Sequence, residues 1–148
     1  MIEQLYQKAI LKQAAAAFGH GLLDDAELEL TVHNPLCGDR ITVYLKRDGD
    51  KISDFAHETK ACVLCQASAS ILAKCAIGET RQSLEIICHS LKKSLKENQL
   101  SEKIWPEDKW NSLNIFQPVS DHSNRFTCVT LPFETLLQAL LTDQMIDR

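Results

Sequence analysis

Between Glu27 and Val32 the chain alternates strictly, with Leu28, Leu30 and Val32 set against Glu27, Glu29 and Thr31. A period of two places each set on its own face of an extended chain, so the stretch predicts a half-buried strand, ended by Asn34-Pro35. The alternation resumes at Ile41, Val43 and Leu45, reverses at the Asp48-Gly49 turn, and returns from Ile52 as a third strand. Three consecutive strands on short connections predict an antiparallel meander. Ahead of them, Leu5, Ala9 and an alanine run favour a helix over residues 2–17, stopped by Gly19 and Gly21.

Beyond the third strand the period becomes helical. Cys62, Cys65, Ala69, Leu72, Ala73 and Ala76 share one face of a predicted helix closed by Gly78. Leu84, Ile87, Cys88, Leu91 and Leu95 repeat the pattern in a second. Residues 97–126 hold no steady period, and Trp105-Pro106 and Gln117-Pro118 predict loops and short turns. A last helix is predicted with Pro132 in its first turn, where a missing N–H does little harm, and with Phe133, Leu136, Leu137, Leu140 and Leu141 buried. The expectation is an α+β fold in a single domain spanning 1–148: a three-stranded antiparallel sheet with helices packed on one face.

Composition narrows the function. The net charge of −4 disfavours a nucleic-acid or anionic-membrane surface, and no apolar run approaches the length that spans a bilayer. The first residues, MIEQLYQKAILKQAAAAF, lack the basic front and compact apolar stretch of a secretion signal. Six cysteines without such a signal point to a reducing, cytoplasmic setting, where thiols serve as core residues, ligands or nucleophiles.

The positions of the cysteines carry the chemistry. Cys37 sits in the loop HNPLCGDRITV between the first two strands; Cys62 lies where the third strand gives way to a helix; Cys128 lies at the start of the last helix. A helix N-terminus offers partial positive charge and free N–H groups, which favour the thiolate that binds metal and attacks sulfur. In an extended loop, side chains two apart point the same way, so Cys37 and Asp39 can face one ion. Three cysteines and one aspartate suit tetrahedral zinc or an iron–sulfur cluster. Their separation is not a zinc-finger spacing, and each cysteine taken singly also reads as core, which is the reading adopted for Cys75 and Cys88. Asp39 equally suits a loop acid that binds nearby N–H groups. His33 and His122 read as solvated loop histidines.

The residues also carry a resemblance. NPLCGDRITVYLKRDGDKISDF, ACVLCQASAS and RFTCVTLPFETLLQAL, in that order, resemble the three motifs of the IscU/NifU-N/SufU family of iron–sulfur cluster assembly scaffolds, and LYQKAIL resembles its N-terminal helix. Together these stretches cover roughly residues 2–144. The resemblance implies a SufE/NifU-like fold, with Cys37, Asp39, Cys62 and Cys128 as ligands of zinc, iron or a [2Fe–2S] cluster, and Cys128 as the sulfur acceptor. It implies a cysteine desulfurase as sulfur donor and apo iron–sulfur proteins as recipients. Within the family the chain resembles the SufU branch: Thr127 stands where IscU members carry histidine, and residues 97–126 resemble that branch's extra segment. That branch implies a bound zinc and a sulfur relay.

The chain departs from the pattern at three places. Ala61 replaces a usual glycine, Cys65 replaces a usual serine or alanine, and KQAAAAFGHGLLDD stands where an Asn-Pro-Arg segment is usual. The functional expectation is therefore a cluster scaffold, with a zinc-dependent sulfurtransferase as the alternative. A thiol-disulfide oxidoreductase using Cys62 and Cys65 is a second alternative, although no βαβ pattern surrounds that pair. A structural zinc module that only binds a protein partner is a further one.

Overall fold

The computed structural model describes residues 2–34 and 38–146, with side chains described for all of these except 2, 3, 5 and 143–146. The elements run α1 (Ile2–Ala16), β1 (Leu28–Asn34), β2 (Asp39–Asp48), β3 (Lys51–Lys60), α2 (Val63–Cys75), α3 (Arg81–Lys96) and α4 (Phe126–Ile146). The three strands form one antiparallel sheet in the order β1-β2-β3. Register places Leu28, Leu45 and Phe55 in one cross-strand row, Leu30, Val43 and His57 in the next, and Val32, Ile41 and Thr59 in a third. This is the apolar face that the alternation predicts, and α2 and α4 pack against the strands. The α+β expectation holds. Among the described residues no helix is long and apolar enough to cross a membrane.

Helix α2 differs from its predicted form. The sequence suggests one buried face; instead Cys65, Ala67, Ser68, Ala69, Ser70, Ile71, Leu72, Ala73 and Cys75 are all buried. The helix lies in the middle of the fold, packed by α1, α4, β3 and the segment 108–121. Small residues let these neighbours approach from every side. The two buried serines are satisfied: Ser68 donates to the Val129 carbonyl of α4, and Ser70 accepts from the Phe18 N–H at 3.0 Å. The helix also stops earlier than expected, at Cys75, with Ala76 still right-handed. Gly78 serves the following turn with φ +87°, donating its N–H to the Ile52 carbonyl at 2.8 Å.

Two further expectations are corrected. Residues 97–126 are not mainly loop: Leu100–Glu102, Asp108–Asp121 and Ser123–Arg125 are 3₁₀-helical. In the long one, Trp110, Leu113, Phe116 and Val119 are buried. That spacing of three is the 3₁₀ repeat itself, and Pro118 lies inside it. Lys109 anchors the segment through its ion pair with buried Glu79 at 2.6 Å. Secondly, α4 starts at Phe126, so Pro132 is its seventh residue rather than part of its first turn. The proline removes the helical bond that an N–H there would make to the Cys128 carbonyl. The turn persists because Val129, Thr130 and Leu131 are buried in a helix that packs on β1 and β2.

The segment after α1 clasps the edge of β3. The Gly21 N–H donates to the His57 carbonyl, and the His57 N–H to the Gly19 carbonyl, both at 2.9 Å. Gly19 has φ +73°, and a Cβ there would meet the Ala73 Cβ at 2.5 Å. The buried His57 ring completes the clasp, with Nε2 2.8 Å from the Phe18 carbonyl and Nδ1 2.8 Å from Thr59 Oγ1. A carbonyl only accepts, so Nε2 carries the proton and Nδ1 accepts from the hydroxyl. Burial, opposed by the Phe18 bond and aided by His20, holds the His57 pKa below its usual 6.5. The unfolded chain therefore takes up a proton, as pH falls through 6.5, that the folded chain resists, and stability declines there. The melting temperature should fall between about pH 7 and pH 5, and His57→Gln should flatten that fall. Parallel pH profiles for the two proteins would show that His57 does not control it.

Candidate metal centre

Asp39 is the first residue of β2 and lies opposite Asn34, the last of β1. Gly38 precedes it with φ +73°, a left-handed backbone that suits glycine. Its N–H donates to the Asn34 carbonyl at 2.9 Å. These contacts fix the direction of the Asp39 side chain at the end of the sheet. Cys37 itself lies outside the described residues.

Cys62 is the N-cap of α2, in extended conformation. Its N–H donates to Asp39 Oδ1 at 3.1 Å, and its Sγ lies 3.7 Å from Oδ2. The two oxygens of one carboxylate thus have separate tasks. Oδ1 satisfies an N–H at the head of α2, so the loop-acid role and proximity to the thiol coexist in Asp39. Cys128 is the third residue of α4. The 3₁₀ turn Ser123–Arg125 runs directly into that helix, so the partial positive charge of a helix end is better developed at Cys62.

One ligand atom from each of Asp39, Cys62 and Cys128 lies within 4.8 Å of the others. Asp39 is 3% exposed and Cys128 1%, while Cys62 is half-buried. A tetrahedral zinc with sulfur at about 2.3 Å and oxygen at about 2.0–2.2 Å sets its donors roughly 3.5–3.8 Å apart. The 3.7 Å between Asp39 Oδ2 and Cys62 Sγ matches that separation, and Cys128 completes a group whose ligand atoms lie within 4.8 Å of one another.

The remaining cysteines stay out of this cluster. Cys65 is fully buried in the core, on the turn of α2 after Cys62. Burial pushes the Cys75 thiol up, and it donates to the Lys109 carbonyl at 3.5 Å. Burial likewise pushes Cys88 up to about 11. Both are core residues, as expected, and neither ionises readily. His33 is exposed on β1 opposite Arg40. His122 is exposed too, but lines a groove of about 670 Å3 with Cys62, Val63, Leu11, Gln7 and Arg125. The sequence does not announce this groove, because it brings together α1, the head of α2 and residues 118–125. Nor does it announce that the Asn34 side chain bonds Thr127, next to Cys128. The asparagine reads locally as half of an Asn-Pro turn.

The chain is 32% identical over 141 residues to the iron–sulfur cluster assembly scaffold protein IscU of Thermotoga maritima, covering 95% of each chain. It is 24% identical over 143 residues to the zinc-dependent sulfurtransferase SufU of Bacillus subtilis, covering 97% of this chain and 94% of that one. Among solved structures, an N-terminal NifU-like protein from Brucella abortus superposes with a TM-score of 0.83 at 36% identity, covering 94% of each chain. A putative SUF-system scaffold from Fervidobacterium islandicum superposes with a TM-score of 0.74 at 28% identity, covering 90% of this chain and 94% of that one. The profile of the NifU-like N terminal domain matches residues 5–129, and the chain belongs to that family.

Proposed function

We propose that this protein is an iron–sulfur cluster assembly scaffold. It takes sulfane sulfur from a cysteine desulfurase; an external two-electron donor reduces that sulfur to sulfide, iron and sulfide assemble at Cys37, Asp39, Cys62 and Cys128, and a [2Fe–2S] cluster passes to apo-proteins. The observation that carries this reading is the convergence of Asp39, Cys62 and Cys128 from three different elements onto one spot at the end of the sheet. Family membership and the names of its relatives support it. One carboxylate among thiolates suits a cargo site, because a hard oxygen holds iron less firmly than a thiolate does.

Sulfur transfer is an exchange at sulfur. An acceptor thiolate attacks the terminal sulfur of the donor persulfide, a new S–S bond forms, and the donor cysteine leaves as thiolate. Atoms and electrons balance without an outside oxidant. Cys128 is the acceptor implied by the family resemblance, yet it is buried. Cys62 opens on the groove and has a ligand atom within 4.8 Å of that of Cys128. A donor therefore meets Cys62 before Cys128, and the short separation allows onward exchange.

A second reading, a zinc-dependent sulfurtransferase, is favoured by the Asp39–Cys62 separation, which matches a tetrahedral ion, and by the Bacillus relative. Cys37, Asp39, Cys62 and Cys128 would then hold zinc, which when bound keeps its thiol ligands deprotonated. The oxidoreductase alternative expects βαβ units around Cys62 and Cys65; the described strands form an antiparallel meander, and Cys65 is buried.

Three outcomes are expected. Protein purified without oxygen should contain iron with matching sulfide if it is a scaffold, whereas one zinc per chain without visible absorption bands would favour the relay. In either case Cys128→Ser should lose the metal and Cys88→Ser should keep it; full metal in Cys128→Ser sinks the site. With a desulfurase and cysteine, sulfur mapped by mass spectrometry should accumulate on Cys62 in Cys128→Ser and reach Cys128 poorly in Cys62→Ser. Loading of Cys128 at the parent rate without Cys62 would exclude entry through Cys62.

A further pair of substitutions separates the two tasks of Asp39. Asp39→Ala removes both the acceptor for the Cys62 N–H and the ligand oxygen, so the apo-protein should lose about 0.5–2 kcal/mol. Asp39→Asn keeps an acceptor oxygen and should lose much less. Both should weaken zinc binding and slow cluster release to an acceptor. Zinc affinity in Asp39→Asn equal to the parent's would leave the aspartate with its structural task alone.

A further inference from the structure

Asn34 touches both halves of the site without belonging to its donor set. It is buried at 9% exposure, at the last position of β1. Its backbone carbonyl accepts from the Gly38 N–H at 2.9 Å, and its register partner is Asp39. Its side-chain Nδ2 donates to Thr127 Oγ1 at 3.3 Å, across 93 residues of sequence. Thr127 immediately precedes Cys128. One residue thus closes the hairpin that ends in Asp39 and also holds the first turn of α4, which carries Cys128.

We propose that the Asn34–Thr127 hydrogen bond is a latch that positions Cys128 against Asp39 and Cys62, making Asn34 and Thr127 positioning residues for the metal centre. The inference rests on the scaffold reading of that centre. Pro132 removes the helical bond that would tie its turn back to Cys128. The head of α4 therefore relies more on tertiary contacts, and the latch is one of them. Its energy is modest: the bond is long and Thr127 is exposed, so water competes for it. Loss of the latch should loosen the centre by a few-fold without emptying it.

The test uses the full chain, its metal-free form, and zinc(II) as probe. Thr127→Val keeps the shape and removes the acceptor; Thr127→Ser keeps the acceptor. Thr127→Val should raise the zinc dissociation constant about 2- to 10-fold in competition with a chromophoric chelator, the span of one ordinary hydrogen bond. Thr127→Ser should restore the parent value. In the metal-free protein, Thr127→Val should speed iodoacetamide alkylation of Cys128, read by peptide mass spectrometry. Cys75 and Cys88, buried elsewhere, should alkylate at the parent rate; if they also speed up, the variant has loosened globally and the latch is not a local device. Asn34→Ala should repeat the Thr127→Val effect, and the double variant should be no worse than the single ones. Additive losses, or an unchanged dissociation constant and alkylation rate in Thr127→Val, overturn the latch while the metal centre stands. If the parent takes up neither zinc nor iron, the scaffold reading fails, and Cys128 alkylation still decides the latch.

Discussion

Helix α2 has almost no solvent face, and the rest of the molecule is arranged around that constraint. Nine of its thirteen residues are buried, with α1, α4 and β3 packed on it. Such crowding is possible only with small side chains where the neighbours come closest. Ala67, Ser68, Ala69, Ser70 and Ala73 supply them, and the serines bond outward to the backbone of α4 and of the segment after α1. Interiors packed at this density resist displacement. The head of α2, and Cys62 with it, is therefore held in place by the core rather than by its own loop.

Asp39 turns that rigidity into a site. Its Oδ1 joins the end of the sheet to the head of α2, leaving Oδ2 on the side of the Cys62 sulfur. Cys128 comes in on α4, which packs on β1, β2 and α2 together. Each donor thus rides on a separate element, and each element is fixed by core contacts. If the proposed metal-centre reading holds, a centre built this way is preorganised for an incoming ion or cluster. It opens to solvent on the Cys62 side, through the groove that α1 shares with residues 118–125.

The departures from family pattern acquire physical content here. The stretch KQAAAAFGHGLLDD, in place of Asn-Pro-Arg, forms a clasp on the β3 edge, bonded through Gly19, Gly21 and His57. Ala61 stands directly before the N-cap, where its carbonyl accepts from the Gln66 side chain at 3.0 Å. Cys65 is buried in the core, and among the described residues the group of donors is Asp39, Cys62 and Cys128.

Much of this was legible in the chain itself. The period of two in Leu28, Leu30 and Val32, continued by Ile41, Val43 and Leu45, determines the strands and their buried face, because a pleated strand sorts side chains by parity. The amphipathic stripe from Leu84 to Leu95 determines α3 for the analogous reason at a helical period. The motif residues Cys37, Asp39, Cys62 and Cys128 mark the candidate donors. Other features were hidden. The repeat of three at Trp110, Leu113, Phe116 and Val119 fits neither a strand nor an α-helix, so it reads as no period at all. The start of α4 six residues before Pro132 contradicts local propensity, since burial of Val129, Thr130 and Leu131 outweighs a missing hydrogen bond. The meeting of Asp39, Cys62 and Cys128 was expected from the motif resemblance and not from any local pattern, whereas the groove beside them and the Asn34–Thr127 contact were decided by tertiary structure alone. Contacts between residues so far apart in sequence leave no local periodicity, and only the packing of α2 and α4 on the sheet brings them within reach of one another.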